Sequence, residues 1–180
     1  METIANNSSW TLDPSHSEIS FTVRHAGISK VRGKFENFSA TAELDENSDL
    51  KSARAVIETD SLNTGSEDRD NHVKSADFFE VEKYPTISFD NIVFENMLLN
   101  DSVLKGDLTI KDTTLPVELI VEETGTAIDP FGNTRFGVEA KTSISRKDFG
   151  LTWNAALETG GVLVSDKVVI GLDLSFIKSE

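Results

Sequence analysis

Apolar and polar residues alternate along most of this chain with a period of two. In the range 18–25, one face is polar and the other carries Ile19, Phe21, Val23 and His25. This pattern is typical of antiparallel strands that have one face on a core and one face in water. The alternation recurs in the ranges 38–44, 53–59, 87–94, 104–110, 115–121, 136–144 and 168–176. The pattern therefore predicts an all-β fold with eight or more strands.

The parity of the alternation changes once, near Asp90. Ile87 and Phe89 face one way, whereas Ile92 and Phe94 have the opposite parity. A β-bulge inserts one extra residue into a strand and produces such a change. We therefore predict a bulge at this point of the strand.

Strands at this short spacing form either a sandwich or a closed barrel. In a sandwich, small inward residues leave a costly void unless the facing sheets interdigitate around them. An eight-stranded barrel can instead keep a slot for one small ligand. Both architectures stay open on the pattern alone, and we expect an antiparallel β-barrel of about eight strands. The small residues predicted to face inward are Ala40, Ala42, Ala53, Ala55, Gly106 and Ala140.

The segment from Arg69 to Phe89 interrupts the series of strands. It opens with polar residues at helical spacing and continues with the aromatic pair Phe78 and Phe79. A charged helical turn and an aromatic pair between two strands indicate a cover over the open end of a barrel. Arg69 and Asp70 are candidates for a structural pair that anchors this cover to the rim.

Composition narrows the possible functions. The 180 residues are most simply one domain, residues 1–180, and they include no cysteine, which excludes disulfides and thiolate chemistry. Seventeen basic against thirty-one acidic residues give a net charge of −14. This charge argues against nucleic acid as a partner and disfavours binding to an anionic membrane. No window is apolar enough to span a bilayer, and the polar amino terminus lacks the features of a signal peptide, so we predict a cytoplasmic protein without stable membrane insertion.

Several short motifs occur in a fixed order from Trp10 to Ile177. They are Trp10-x-Leu12-Asp13-Pro14-x-His16-Ser17, Phe21-x-Val23-Arg24-His25, Gly33-x-Phe35, Arg69-Asp70-x-His72, Ser75-x-Asp77-Phe78-Phe79, Tyr84-Pro85, Leu104-x-Gly106-x-Leu108-Thr109-Ile110, Thr114-x-Pro116-Val117, Ser145-Arg146-Lys147-Asp148-Phe149-Gly150 and Asp166-x-Val168. Together these motifs resemble the YceI-like, polyisoprenoid-binding family, and the set is more specific than any one of them.

The resemblance implies a lipocalin-like barrel that holds an isoprenoid or related long-chain lipid in its interior, for storage or transport. Family members are commonly bacterial and many are exported, so the lack of a signal peptide here is a departure. The physics agrees, because burying about twenty carbons yields on the order of 15 kcal/mol before the costs of association. A few polar groups at the mouth would then select the head group. We expect the lipid as ligand, no other cofactor and no metal.

The predicted site residues form two groups. The first group contacts the lipid tail from the inward face of the strands and from the cover: Phe21, Val23, His25, Phe38, Ala40, Ala55, Ile57, Phe78, Phe79, Phe89, Leu108, Phe136, Val138 and Leu172. The second group lies at the rim, near the head group: Arg69, Asp70 and His72.

Other interpretations of the polar residues compete with this one. The parity of His25 predicts a buried, neutral, hydrogen-bonded imidazole, with a head-group contact as the alternative, and His16 most simply organises a turn. A zinc site built from the three histidines lacks tight spacing, and no Gly-x-Ser-x-Gly motif supports a nucleophilic triad. We therefore predict no enzymatic activity. An enzyme that uses His72 or His25 on an apolar substrate, a filled barrel that acts as a stress-response or interaction domain, and a homodimer remain alternatives.

Overall fold

A computed structural model of the protein describes residues 6–96 and 102–179. Within these residues the chain forms strands, one short α-helix, α1 (Glu67–Lys74), and three 3-10 turns at Pro14–His16, Thr59–Ser61 and Arg146–Phe149. The strands are β1 (Ser8–Leu12), β2 (Glu18–His25), β3 (Ser29–Phe35), β4 (Phe38–Leu44), β5 (Leu50–Glu58), β6 (Leu62–Asn63), β7 (Thr86–Asn96), β8 (Ser102–Ile110), β9 (Thr113–Ile128), β10 (Thr134–Ser145) and β11 (Lys167–Lys178).

Eight antiparallel strands close into a ring in the order β1-β4-β5-β7-β8-β9-β10-β11, and β11 pairs again with β1. The closing register places Trp10 opposite Lys178 and Leu12 opposite Phe176. After a turn at Pro14–His16, β2 continues along the same edge of β11, pairs with β3, and β3 pairs with β6. The predicted antiparallel barrel of about eight strands with one short helix is confirmed, and the sandwich alternative is wrong.

The predicted bulge lies in β7. The register of β7 against β8 shifts between Asp90 and Val93, and Asn91 has a φ of 53°. Asparagine tolerates this left-handed conformation better than most residues. The bulge therefore explains why Phe89 and Phe94 both contribute to the interior despite their opposite parity.

The two ends of the barrel differ. At one end, which we call the covered end, β2 stops at His25, β5 at Glu58 and β10 at Ser145. The β2–β3 turn, the segment 59–85 that contains α1, and the segment 146–166 all leave the barrel there. The opposite end, which we call the far end, receives the first strand and the end of the last.

Aromatic rings fill the far end. Trp10 meets Phe136 edge-on with ring centres 4.7 Å apart, and Phe136 stacks on Phe176 at 4.9 Å. A second cluster, built on the buried side chains of Leu119, Val121 and Ala140, fills the β9–β10 wall. The interior that remains open therefore lies between this aromatic plug and the covered end.

A charged network joins the amino-terminal segment to the far-end turn between β9 and β10. Arg135 donates from Nη1 to Asp13 Oδ2 at 2.8 Å and from Nε to Asp129 Oδ2 at 2.7 Å. The Ser15 hydroxyl and the Arg135 guanidinium hold the pKa of Asp13 well below its usual range, and Arg135 lowers the pKa of Asp129 to about 2. Both carboxylates are thus charged at neutral pH and connect parts of the chain that are far apart in sequence.

Candidate functional site

The barrel interior contains a cavity of about 490 Å³ that reaches the covered end. Its volume lies within the range of about 300–1,000 Å³ typical of small-molecule sites. The wall is almost entirely apolar, and most of its polar atoms belong to residues at the covered end, such as Arg24, His25 and Arg69. The cavity therefore suits a ligand with a long apolar part and at most a small polar part.

Two aromatic rings lie flat on the cavity wall because glycines stand beneath them. Phe21 on β2 pairs with Gly33 on β3, and a Cβ atom at Gly33 would overlap the Phe21 ring. Likewise, a Cβ at Gly106 would come within 2.7 Å of the Phe89 ring. Larger residues at these two positions would push the rings toward the centre of the barrel. The glycines thus keep the cavity open by letting the rings lie against the strands.

Three rings form a cluster between the two segments that cover the cavity. His72 on α1 meets Trp153, from the segment 146–166, with ring centres 4.6 Å apart, and it meets Phe78 at 5.2 Å. Phe78 and Trp153 are 5.4 Å apart. We call His72, Phe78 and Trp153 the lid cluster. All three residues line the cavity, so the cluster separates the cavity from solvent at this point.

Residue Thr64 anchors α1 to the barrel. Asp70 Oδ1 accepts hydrogen bonds from the backbone N–H and the hydroxyl of Thr64, and Arg69 donates from Nε to the Thr64 hydroxyl at 2.8 Å and from Nη2 to its carbonyl at 2.6 Å. The neighbouring His72 donates a hydrogen bond from Nε2 to Asp77 Oδ2 at 2.9 Å. Arg69 and Asp70 therefore hold the cover in place through a shared partner.

A buried arginine organises the other covering segment. Arg146, which is 3% exposed, donates to the carbonyl oxygens of Leu151, Trp153, Val164 and Ser165 at 2.6–3.2 Å. Burial lowers its pKa, and the nearby Asp166 charge acts in the opposite direction. These bonds join the two limbs of the segment and so fix the position of Trp153.

The structure brings most of the predicted site residues together at the cavity wall. Their role in binding stays a prediction. The predicted residues that line the cavity are Phe21, Val23, His25, Ala40, Ala55, Ile57, Arg69, His72, Phe78, Phe79, Phe89, Leu108 and Leu172.

Four predicted residues do not line the cavity. Phe136 belongs to the far-end plug, Val138 packs in the cluster around Ala140, and Phe38 is buried in the main core. The Asp70 carboxylate accepts hydrogen bonds from Thr64. The alternation pattern shows which residues face the interior of the barrel. It does not distinguish residues that fill the interior from residues that line the cavity, because the aromatic plug occupies one end.

The small residues also divide into two groups. Ala40 and Ala55, which pair across β4 and β5, border the cavity as expected. Ala42 and Ala140, in contrast, are covered by other core side chains, and the Phe89 ring takes the space at Gly106. The small inward residues therefore border free space at some positions and are covered by neighbouring side chains at others.

The histidines differ from expectation in one case. His25 is exposed at the end of β2, where it bridges to Val164, so the expected burial of its imidazole is wrong. His16 Nδ1 contacts Asp13 Oδ2 at 2.8 Å within the Pro14–His16 turn, as expected of a turn residue. Among the described residues, no group of three or more His, Asp or Glu side chains is arranged to hold a metal ion.

Sequence reasoning missed the contribution of the segment 146–166. Trp153, Arg146 and Leu151 all line the cavity, although the motif that contains Arg146 was visible in the sequence. The segment has no regular alternation that would place its side chains. The sequence shows only an arginine followed by an irregular stretch that contains a tryptophan, and this does not fix the position of either side chain.

The comparisons with known proteins agree on the family. The model of the YceI-like domain matches residues 10–176. The chain belongs to the YceI-like family. It is 38% identical over 174 residues to UPF0312 protein SA2479 of Staphylococcus aureus strain N315, which covers 95% of this chain and 98% of that protein.

Solved structures of YceI-like proteins share the barrel. The YceI protein of Campylobacter jejuni superimposes with a TM-score of 0.74 at 28% identity, over 87% of this chain and 90% of that one. A polyisoprenoid-binding domain from Saccharophagus degradans has a TM-score of 0.67 at 16% identity, over 94% and 98% of the two chains. Within the described residues, this YceI-like chain contains no helix long and apolar enough to cross a bilayer.

Proposed function

We propose that this YceI-like protein binds one long-chain amphiphile, an isoprenoid or a related lipid, in its barrel, and stores or carries it without altering it chemically. The observation that carries the proposal is the apolar cavity of about 490 Å³ that reaches the covered end. Each buried CH₂ group contributes about 0.8 kcal/mol, so a chain of moderate length offsets the costs of association without an ionic contact. The chain belongs to the YceI-like family, and a polyisoprenoid-binding domain has the same fold. Both observations support this ligand class.

The alternative is an enzyme that acts on a substrate in the same cavity. Its acid–base group would be the His72–Asp77 pair. Such a pair is a common element of acid–base catalysis. The His72 imidazole packs in the lid cluster. In the described part of the chain, no serine or threonine hydroxyl is hydrogen-bonded to this ring. The geometry supports a role in closing the cavity better than a role in activating a nucleophile.

The direct test is to extract the purified protein with organic solvent and analyse the extract by mass spectrometry. We expect one amphiphile with a long apolar tail, close to one molecule per chain. An empty protein that also fails to take up a fluorescent alkyl-chain probe would contradict the proposal. Conversion of an extracted lipid by the purified protein would support the enzymatic alternative.

A variant tests whether the cavity is the site. Ala55→Trp places an indole where the ligand is expected, while the wall around it stays apolar. Displacing two CH₂ groups of the ligand would lower the affinity about tenfold. Titration with the alkyl-chain probe measures this change, and Ser52→Trp, on the exposed face of the same strand, is the matched control. Equal affinity in the two folded variants would place the ligand elsewhere.

A further inference from the structure

A cluster of basic residues stands out on this acidic chain. No aspartate or glutamate occurs between Glu18 and Glu36, although the chain contains thirty-one acidic residues. We call the exposed basic side chains of β2, β3 and the start of β11 the basic patch. It consists of Arg24, Lys30, Arg32, Lys34 and Lys167.

The β-ladder brings these residues to one surface. Arg24 pairs with Lys30, Thr22 pairs with Arg32, and Lys34 follows on the same face of β3. A shallow depression on the outer surface is lined by Arg24, Lys30, Arg32 and Lys167. The cluster seen in the sequence is thus a continuous surface in the fold.

The charges of the basic patch are mostly uncompensated. Of its five members only Lys34 has a carboxylate within 4.0 Å among the described residues, namely Glu36. Asp166, the neighbour of Lys167 in sequence, accepts hydrogen bonds from the Ser145 hydroxyl and the Lys147 backbone instead. Like charges directly opposite each other destabilise a sheet, so this arrangement has a cost that an anionic partner would relieve.

Exposed apolar side chains lie next to the basic patch. Ile28, at the tip of the β2–β3 turn, is 84% exposed, and Val162 is 51% exposed. The turn is held to the segment 146–166 by a hydrogen bond from the Ala26 N–H to the Leu163 carbonyl at 2.7 Å and by the bridge between His25 and Val164. The apolar tip is therefore a fixed part of the covered end.

The cavity opens at this same end. Arg24, His25 and Val31 from the β2–β3 hairpin line it, together with Leu163 and Val164. Basic charge beside an apolar tip suits the boundary between head groups and acyl chains of an anionic bilayer. An acidic protein or a nucleic acid would also bind the basic patch. Neither of these partners explains why exposed apolar side chains lie beside the mouth of the cavity.

We propose that this end of the barrel docks transiently on an anionic phospholipid bilayer, with Ile28 and Val162 at the head-group level and the basic patch against the anionic head groups. The net charge of −14 opposes this contact at long range. Screening limits the reach of each charge to about 8 Å at physiological ionic strength, so the nearby basic residues dominate once the surfaces meet. The docking is accordingly weak and sensitive to salt. Its purpose, lipid exchange through the mouth, rests on the proposed function.

The experiment is flotation of the full-length protein with vesicles of phosphatidylglycerol and phosphatidylcholine, compared with pure phosphatidylcholine. We expect binding to the anionic vesicles at low salt and its loss at high salt. The variant Lys30→Glu/Arg32→Glu should bind about tenfold more weakly. The control Lys51→Glu/Lys178→Glu makes the same change in net charge at the far end and should retain binding.

A second pair of variants tests the apolar tip. Ile28→Ser should weaken vesicle binding severalfold, whereas Phe131→Ser should not, although Phe131 is 88% exposed at the far end. Equal effects within either pair, or no binding of the unmodified protein to anionic vesicles, would overturn the docking proposal. Binding to an acidic protein or to a nucleic acid without binding to vesicles would overturn it as well.

The two proposals fail in different ways. If the protein takes up the alkyl-chain probe from solution but ignores vesicles, the docking is wrong and the proposed function stands. If it binds anionic vesicles through the basic patch but neither contains nor takes up a lipid, the proposed function is wrong.

Discussion

At the scale of single residues, two glycines shape the wall of the cavity. Gly33 and Gly106 lie under the rings of Phe21 and Phe89, and both rings form part of the cavity wall. Glycine in a strand interior is ordinarily unfavourable, and its presence indicates a close approach by another group. Here the approaching group is an aromatic side chain that would otherwise project into the cavity.

This arrangement predicts that Gly33→Ala reduces ligand affinity. The added methyl group overlaps the Phe21 ring, and this ring lines the cavity, so we expect it to be displaced into the cavity. We expect weaker binding of the alkyl-chain probe and a loss of about 1–3 kcal/mol in the free energy of unfolding, as for other overpacked interiors. Probe titration and urea unfolding measure the two effects.

A second substitution serves as the control for this prediction. Phe21→Leu in the Gly33→Ala background removes the overlap and should restore much of the binding. If the single variant Gly33→Ala binds the probe as well as the unmodified protein, the ring does not limit the cavity.

Such residue-level detail was only partly predictable from the sequence. The alternation indicated that Phe21, Ala40 and Ala55 face inward, and all three line the cavity. It could not show that the ring of Phe89 covers Gly106, because that contact depends on ring orientation across neighbouring strands. Nor could it show that Phe136 stacks in a plug, since the length of the filled region depends on how the barrel closes.

At the scale of elements, the cover consists of two segments that meet through side chains. Arg69 and Asp70 anchor one segment at Thr64, and Arg146 organises the other. No residue of α1 is buried, so the helix adds little to the core. Between these anchors the lid cluster of His72, Phe78 and Trp153 joins the two segments through contacts between their rings.

The lid cluster predicts that Phe78→Ala speeds ligand release. The variant removes two ring contacts, which together are worth about 1–3 kcal/mol, so we expect release about five- to 150-fold faster. Entry should change less, because the ligand meets the lid already open. Stopped-flow measurement with the alkyl-chain probe gives both rates.

The matched control for the lid prediction is Phe131→Ala, which removes an exposed ring at the far end. Release at the same rate from both variants would show that Phe78 does not retain the ligand.

Elements were predictable to the extent that their patterns were regular. The eight alternating ranges correspond to β2, β4, β5 and β7–β11, and the change of parity marked the bulge in β7. β3 was missed because its outward positions are mostly basic and one inward position is glycine. The segment 146–166 was beyond prediction since its position depends on four hydrogen bonds from Arg146 to carbonyl groups.

At the scale of the whole molecule, charge and apolar surface are distributed unevenly. The basic patch, the apolar tip at Ile28 and the mouth of the cavity share the covered end, on a chain with a net charge of −14. Overall composition predicted that the protein avoids anionic surfaces. This average conceals a local cluster of basic residues, which strand pairing brings together with Lys167 into one continuous surface.

The network of Arg135, Asp13 and Asp129 at the far end makes the free energy of unfolding depend on pH. The folded-state pKa values of Asp13 and Asp129 lie below the unfolded value of about 4, so their contribution is complete above that pH. It is lost progressively as the pH falls below about 4 through the lowered pKa values, first for Asp129 and then for Asp13, because protonation weakens both contacts with Arg135. Urea unfolding at a series of pH values measures this loss.

The variant Asp129→Asn isolates the network from the other carboxyl groups. It should be less stable than the unmodified protein at neutral pH, and the difference should narrow as the pH falls to about 2. A constant difference across this range would show that the Asp129 charge does not stabilise the fold.

The pairing of the first strand with the last has a consequence for synthesis on the ribosome. β1 pairs with the end of β11, and the Ser179 N–H donates to the Ser9 carbonyl at 2.7 Å. The growing chain therefore cannot complete its ring until β11 has emerged. Contacts between sequence positions this far apart form slowly, so the apolar inner wall stays accessible to water and to chaperones until β11 has paired with β1.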